Sequence, residues 1–176
     1  MRSSPSSKKW AACARQPPLS RNAPYFRMRR DLHRPVAPAS LPSGVHLLPF
    51  DAPLAPACRA LMNRVYAAGF GDVVAFDDWW PRLTADAEYD PALCFAVADA
   101  HRIVGFCQCW TEPFIKDIVV GVDWRGRGVA TALLTAAMAA YVARGAAYVD
   151  LKTDVDNLVA QSVYRRAGFA IVERFD

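Results

Sequence analysis

The chain has 176 residues, 53% of them hydrophobic, which is enough for one domain with its own core and too little for two. No apolar run approaches the ~20 residues of a membrane span, and no apolar stretch near the N-terminus could form a signal-peptide core, so the sequence reads as a cytoplasmic protein without membrane contact. The net charge of +4 is unevenly spread: residues 1–40 hold nine Lys or Arg against Asp31 alone, leaving twelve bases and sixteen acids elsewhere, so no basic face for nucleic acid is expected in the folded part.

Residues 1–43 are rich in Ser, Pro and Arg and show neither the helical nor the strand period, which predicts a disordered basic tail, solvated or clinging to RNA or anionic lipid, followed by one domain over 44–176. The tail is also Arg-rich and acid-poor like an organelle transit peptide, and an upstream extension before an alternative start at Met28 would fit equally. Val45 to Pro49 predicts a short first strand. Leu54 to Phe70 places Leu54, Cys58, Leu61, Met62, Val65 and Tyr66 at helical spacing, with Gly71 as a stop. Phe76 to Ala87 predicts a second helix with Pro81 in its first turn. Leu93 to Ala98 and Ile103 to Trp110, split by the polar break Asp99 to Arg102, predict an antiparallel hairpin.

Phe114 to Val122 predicts another apolar strand, Gly128 to Arg144 a long helix capped by Gly145, and Tyr148 to Leu151 a strand. Asn157 to Ala167 predicts a short helix closed by Gly168, and Phe169 to Phe175 a last strand. Early hairpins and a late β-α-β crossover imply an α/β chain with a mixed sheet and helices on both faces. The five cysteines, Cys13, Cys58, Cys94, Cys107 and Cys109, are odd in number and read as free thiols of a reducing compartment. Cys107 and Cys109 would face one side of a strand, and with no His nearby in sequence no metal site is expected.

Val119 to Ala130 is the most informative stretch. A strand runs into a Gly-rich turn and the turn into a helix, so free N–H groups and the positive end of the helix dipole converge on one point. Arg125 and Arg127 add formal charge there. The third glycine of a dinucleotide fingerprint is missing, and no Gly-Lys-Ser/Thr of a Walker loop occurs anywhere.

Arg125-x-x-Gly128-x-Ala130 resembles the pyrophosphate signature of the GNAT superfamily, Arg/Gln-x-x-Gly-x-Gly/Ala. The hairpin ending in Ile103-Val104-Gly105-Phe106, the strand Ile115 to Val120, and Asn157-x-x-Ala160-x-x-x-Tyr164-x-x-x-Gly168-Phe169 resemble the family's other motifs in the right order, over roughly residues 45–175. The resemblance implies the GNAT acyl-CoA N-acyltransferase fold, a mixed, mostly antiparallel sheet. It implies transfer of an acetyl group from acetyl-CoA, without a metal, to a primary amine of a small molecule or of a peptide (N-terminus or lysine), by direct attack in a ternary complex. The alternative within the family is a non-catalytic acyl-CoA-binding module with a sensing role.

Carried over residue by residue, Ile118, Val119 and Val120 would pair with the pantetheine arm, flanked by the strand near Asp150 to Lys152. Gly126, Arg127, Gly128, Val129, Ala130 and Thr131 would offer backbone N–H groups to the diphosphate, beside Arg125. The N–H of Val120 would polarise the thioester carbonyl. Tyr164, which spacing alone would leave as a packed ring, becomes the candidate acid for the departing thiolate. Asn157 shares its face two turns away, as a hold for the arm or as a helix cap, and the small Ala160 between them admits a ligand. For the base, some relatives carry an acidic pair where this chain has Lys116 and Asp117, so only Asp117 carries over; Glu112 in the preceding loop is a second candidate, and a water chain to either would serve. Residues 66–92, with Asp77, Asp78, Trp79, Trp80, Glu88 and Asp90, would build the acceptor pocket, where acids beside indoles suit a cationic amine. Family members end in two strands after the last helix and this chain has one, which predicts an open strand edge covered in a homodimer.

Overall fold

The computed structural model of the chain describes residues 23–176. Seven strands form one sheet: β1 (Tyr25–Asp31), β2 (His46–Pro49), β3 (Tyr89–Ala98), β4 (Ile103–Trp110), β5 (Phe114–Val120), β6 (Tyr148–Asp154) and β7 (Ala170–Phe175). Four α-helices accompany them: α1 (Ala55–Tyr66), α2 (Phe76–Thr84), α3 (Val129–Ala143) and α4 (Leu158–Arg166). The strand order is β2-β3-β4-β5-β6-β1-β7. Every neighbouring pair is antiparallel except β5 and β6, which run parallel.

Every residue of β4 is buried, as a central strand covered on both faces must be. On one face Leu133, Leu134, Ala137, Met138 and Tyr141 of α3 pack with Leu93, Val97, Cys107, Ile115 and Leu151. On the other, Ala55, Cys58, Leu61 and Met62 of α1 pack with Cys94, Ala96, Phe106 and Val119. Trp79 and Trp80 of α2, half-buried, extend this second layer toward Leu83, Trp110 and Phe114. Pro81 lies inside α2 rather than in its first turn. The helix already starts at Phe76, so the missing N–H leaves the carbonyl of the exposed Asp77 to solvent.

The predicted disorder of residues 1–43 is corrected over Tyr25–Asp31, which form β1 between β6 and β7; residues 1–22 lie outside the described residues. Phe26 and Met28 face the α3 core, and Met28 is fully buried. Arg27 and Arg29 face the other way, onto Asp150 of β6, which is 2% exposed. Arg29 grips that carboxylate with Nε at 2.6 Å and Nη2 at 2.7 Å, and lies 3.7 Å over the Tyr148 ring. Arg27 also pairs with Glu173 of β7 at 2.8 Å. The side chain of Arg30 donates to the carbonyls of Asp31, Arg34 and Pro35. These arginines are therefore not a solvated tail. The open edge predicted from the single strand after the last helix is corrected in its reason, because β1 stands between β6 and β7; among the described residues the sheet edges are β2 and β7.

Candidate active site

The parallel pairing of β5 with β6 covers only Phe114 with Asp150 and Ile115 with Leu151. Beyond Ile115 the strands part, and Asp117 to Val120 pair on the β4 side alone. The backbone N–H and C=O groups on the parted side need partners, and an amide-bearing chain can supply them. The register between β4 and β5 shifts at the same point, from Cys109 opposite Ile115 to Gln108 opposite Asp117, so Lys116 is the extra residue of a β-bulge. Ile118, Val119 and Val120 lie in this stretch, paired with β4 and parted from β6.

The slot ends on the turn before α3. Gly126 and Gly128 adopt φ of +71° and +88°, which a side chain would strain, and a Cβ built on either meets nothing within 4 Å. Gly128 caps α3 without a side-chain bond, and the backbone ladder opens with Ala132 N donating to Gly128 O at 2.9 Å. The N–H groups of Val129, Ala130 and Thr131 therefore have no acceptor within the helix. Arg125 folds back, with Nε donating to Val120 O at 3.2 Å, and Arg127 lies 5.2 Å over the Trp124 ring. Both arginines are exposed beside an open, electropositive helix start suited to a diphosphate.

Tyr164 is 8% exposed and tilts against Phe169 with ring centroids 6.1 Å apart. Burial pushes its phenol above the ordinary range, and the nearness of Cys107 and Asp117 pushes the same way, so Tyr164 stays a protonated donor at working pH. Asn157 caps α4, its Oδ1 accepting from Ala160 N at 3.1 Å. Of the two roles left open for Asn157, capping is the one its contacts display.

Asp117 has neighbours on both carboxylate oxygens. Tyr66 Oη, at the last residue of α1, donates to Oδ1 at 2.5 Å, and Lys116 Nζ lies 3.4 Å from Oδ2. Burial first, then the Asp117 carboxylate, holds the Tyr66 phenol well above its usual value. Tyr66, Asp117 and Tyr164 thus share one neighbourhood. Glu112 sits elsewhere, exposed at the β4–β5 hairpin tip, where its backbone N donates to Glu88 Oε2 at 2.7 Å. Asp77 and Asp78 are exposed in the first turn of α2, while the Trp79 and Trp80 rings tilt against each other at 5.8 Å inside the aromatic layer.

Sequence reading missed Tyr66 as a site residue and took it as part of an apolar stripe. A signal was present: Arg59, Asn63 and Tyr66 stand at i, i+4 and i+7, a polar row along one line of the helix. Cys107 and Cys109 do share one side of β4, buried with their Sγ atoms 3.8 Å apart. Among the described residues no cluster of three or more His, Cys, Asp or Glu could hold a metal ion, and no helix is long and apolar enough to cross a membrane.

Residues 58–169 match the model of the acetyltransferase (GNAT) family. A mycothiol acetyltransferase of Thermobispora bispora is 31% identical over 167 residues, 86% of this chain and 55% of that protein. The N-alpha-acetyltransferase 30 of Schizosaccharomyces pombe is 32% identical over 92 residues, 48% of this chain and 61% of that one. Among solved structures, a GCN5-related N-acetyltransferase from Sphaerobacter thermophilus superposes with a TM-score of 0.75 at 26% identity, covering 98% of this chain and 55% of that chain. The chain thus spans about half the length of the first curated relative it matches. With a family model over most of its domain, a parted strand pair and a glycine-opened helix start, the chain belongs to the acetyltransferase (GNAT) family.

Proposed function

We propose that the chain transfers the acetyl group of acetyl-CoA to a primary amine, of a small molecule or a peptide, by direct attack in a ternary complex. The observation that carries this reading is the divergence of β5 from β6 after Ile115, which leads to the open turn at Gly126 and Gly128. The pantetheine arm would lie along Ile118 to Val120, and the diphosphate on the N–H groups of Gly126 to Thr131.

The amine nitrogen attacks the thioester carbon, the tetrahedral oxyanion meets the N–H of Val120, and the C–S bond breaks. Asp117 receives the amine proton. Tyr164 donates to the departing thiolate. Its raised phenol is a weaker acid than a thiol of pKa ~8.5, so a strong hydrogen bond to the sulfur outweighs complete proton transfer. Four buried free thiols, Cys58, Cys94, Cys107 and Cys109, suit a reducing compartment such as the cytoplasm. The exposed edge of β7, with Ile171 and Val172, is the face for a homodimer, and light scattering that shows only monomer at high concentration would count against it.

The experiment is an amine panel with acetyl-CoA, read by free thiol release and paired with thermal melting. Acetyl-CoA at about 100 times its Kd is expected to stabilise the fold by ~2.7 kcal/mol. Gly128→Glu, which puts a carboxylate into the cradle, is expected to remove that shift. A shift that survives the substitution would place the cofactor elsewhere.

A further inference from the structure

The α1–α2 connection is fastened more firmly than a loop needs. Arg59, 4% exposed, donates from Nε to Asn63 Oδ1 at 3.0 Å and to Val74 O at 3.1 Å, and from Nη2 to Asp72 O. Asn63 returns two bonds to the same segment, Nδ2 to Val74 O at 2.8 Å and Oδ1 from Val74 N at 3.1 Å. Gly71 then packs directly against the Tyr66 ring: a Cβ there would stand 1.7 Å from its Cδ1. The ring has little freedom to swing away.

We infer that Tyr66 is the positioning residue of the acceptor site: its clamped ring holds the Asp117 carboxylate, by the 2.5 Å bond to Oδ1, in the orientation that receives the amine proton. The bulge at Lys116 re-aims the neighbouring Asp117 side chain, and the anchor for its carboxylate comes from outside the sheet. A charge-assisted O–H···O⁻ bond from a clamped phenol supplies it. Burial and Asp117 keep the phenol protonated, so Tyr66 orients the base and is not the base itself. Lys116, 3.4 Å from the other oxygen, has a long unclamped side chain and cannot replace the anchor.

This role rests on the proposed acetyl transfer. The test is a double-mutant cycle of Tyr66→Phe and Asp117→Asn, with kcat and KM measured for the amine and the Kd measured for acetyl-CoA. Tyr66→Phe is expected to lower kcat about tenfold, a part of the ~10²–10⁴ that general base catalysis supplies, with acetyl-CoA affinity unchanged. In the Asp117→Asn background the same substitution is expected to add nothing. Gly71→Ala, which displaces the ring, is expected to reproduce the kcat loss should Tyr66→Phe fold poorly. Equal losses in both backgrounds, or a loss confined to acetyl-CoA affinity, would overturn the role. A silent unaltered protein across the whole amine panel would sink the acetyl transfer and this role together, whereas an active protein indifferent to Tyr66→Phe and Gly71→Ala sinks this role alone.

Discussion

The two ends of the sheet are built in opposite ways. From β2 to β5 each strand pairs with its successor in sequence, and the cradle at Gly126 to Thr131 follows directly from the end of β5 at Val120. From β6 to β7 the neighbours come from opposite ends of the described chain, and β1 is held by an ion pair 121 residues apart. The first end carries the chemistry on local geometry. The second closes the sheet by long-range contacts that no short window of sequence contains. Substitutions at the cradle should therefore change binding and rate with little effect on stability, and substitutions at the β6-β1-β7 end should do the reverse.

The largest expected effect is at the second end. Deleting residues 1–43 removes β1, leaves β6 and β7 without the strand that both pair with and exposes the core around Met28, so cooperative melting should be lost; a truncated chain that melts like the full one would show that β1 is dispensable. Next comes Asp150→Ala, which leaves Arg27 and Arg29 facing a buried gap. Removing one partner of a buried pair costs ~3–5 kcal/mol, and the partial exposure of Arg29 favours the lower figure, read from denaturant midpoints at constant slope. Acetyl-CoA affinity per folded molecule should hardly change.

Tyr164 lies on α4, after β6 in the chain, but serves the chemistry of the first end, and Tyr164→Phe keeps the ring against Phe169 and removes one hydroxyl. Turnover should fall ~10²-fold with acetyl-CoA affinity nearly constant, measured on the chemical step. Unchanged turnover would return Tyr164 to a packing role. The smallest effect is a pH dependence that bears on both ends. The phenols of Tyr66 and Tyr164 are raised in the fold, whereas in the unfolded chain they ionise near ~10. Their contribution is fully present below that pH and is lost as pH rises above it, by about 1.4 kcal/mol per pH unit per phenol, because the unfolded state sheds protons that the fold retains. Tyr164→Phe should flatten that alkaline slope by one phenol.

Most elements were legible because their causes are local. β4 was read at its full span from an apolar run broken by Gln108 alone, and α3 from the spacing of Leu133, Leu134, Ala137, Met138 and Tyr141. β1 was not legible. Its sequence Tyr-Phe-Arg-Met-Arg-Arg-Asp places arginines on both faces, and their charge reads as solvation until Asp150 and Glu173 are brought against it. Tyr66 was hidden in the same way, since an aromatic ring on an apolar stripe reads as core and its hydroxyl partner lies 51 residues on.

The sequence by itself determined the glycine-opened turn, the free N–H groups of the first turn of α3 and the Tyr164 motif, because backbone conformation and orphaned donors depend on adjacent residues. Only the tertiary structure decided that β1 stands between β6 and β7, that β5 parts from β6 after Ile115, and that Tyr66 is clamped onto Asp117. These depend on which distant groups meet across the sheet, and a buried charge or hydroxyl is stabilised there only once its partner has arrived.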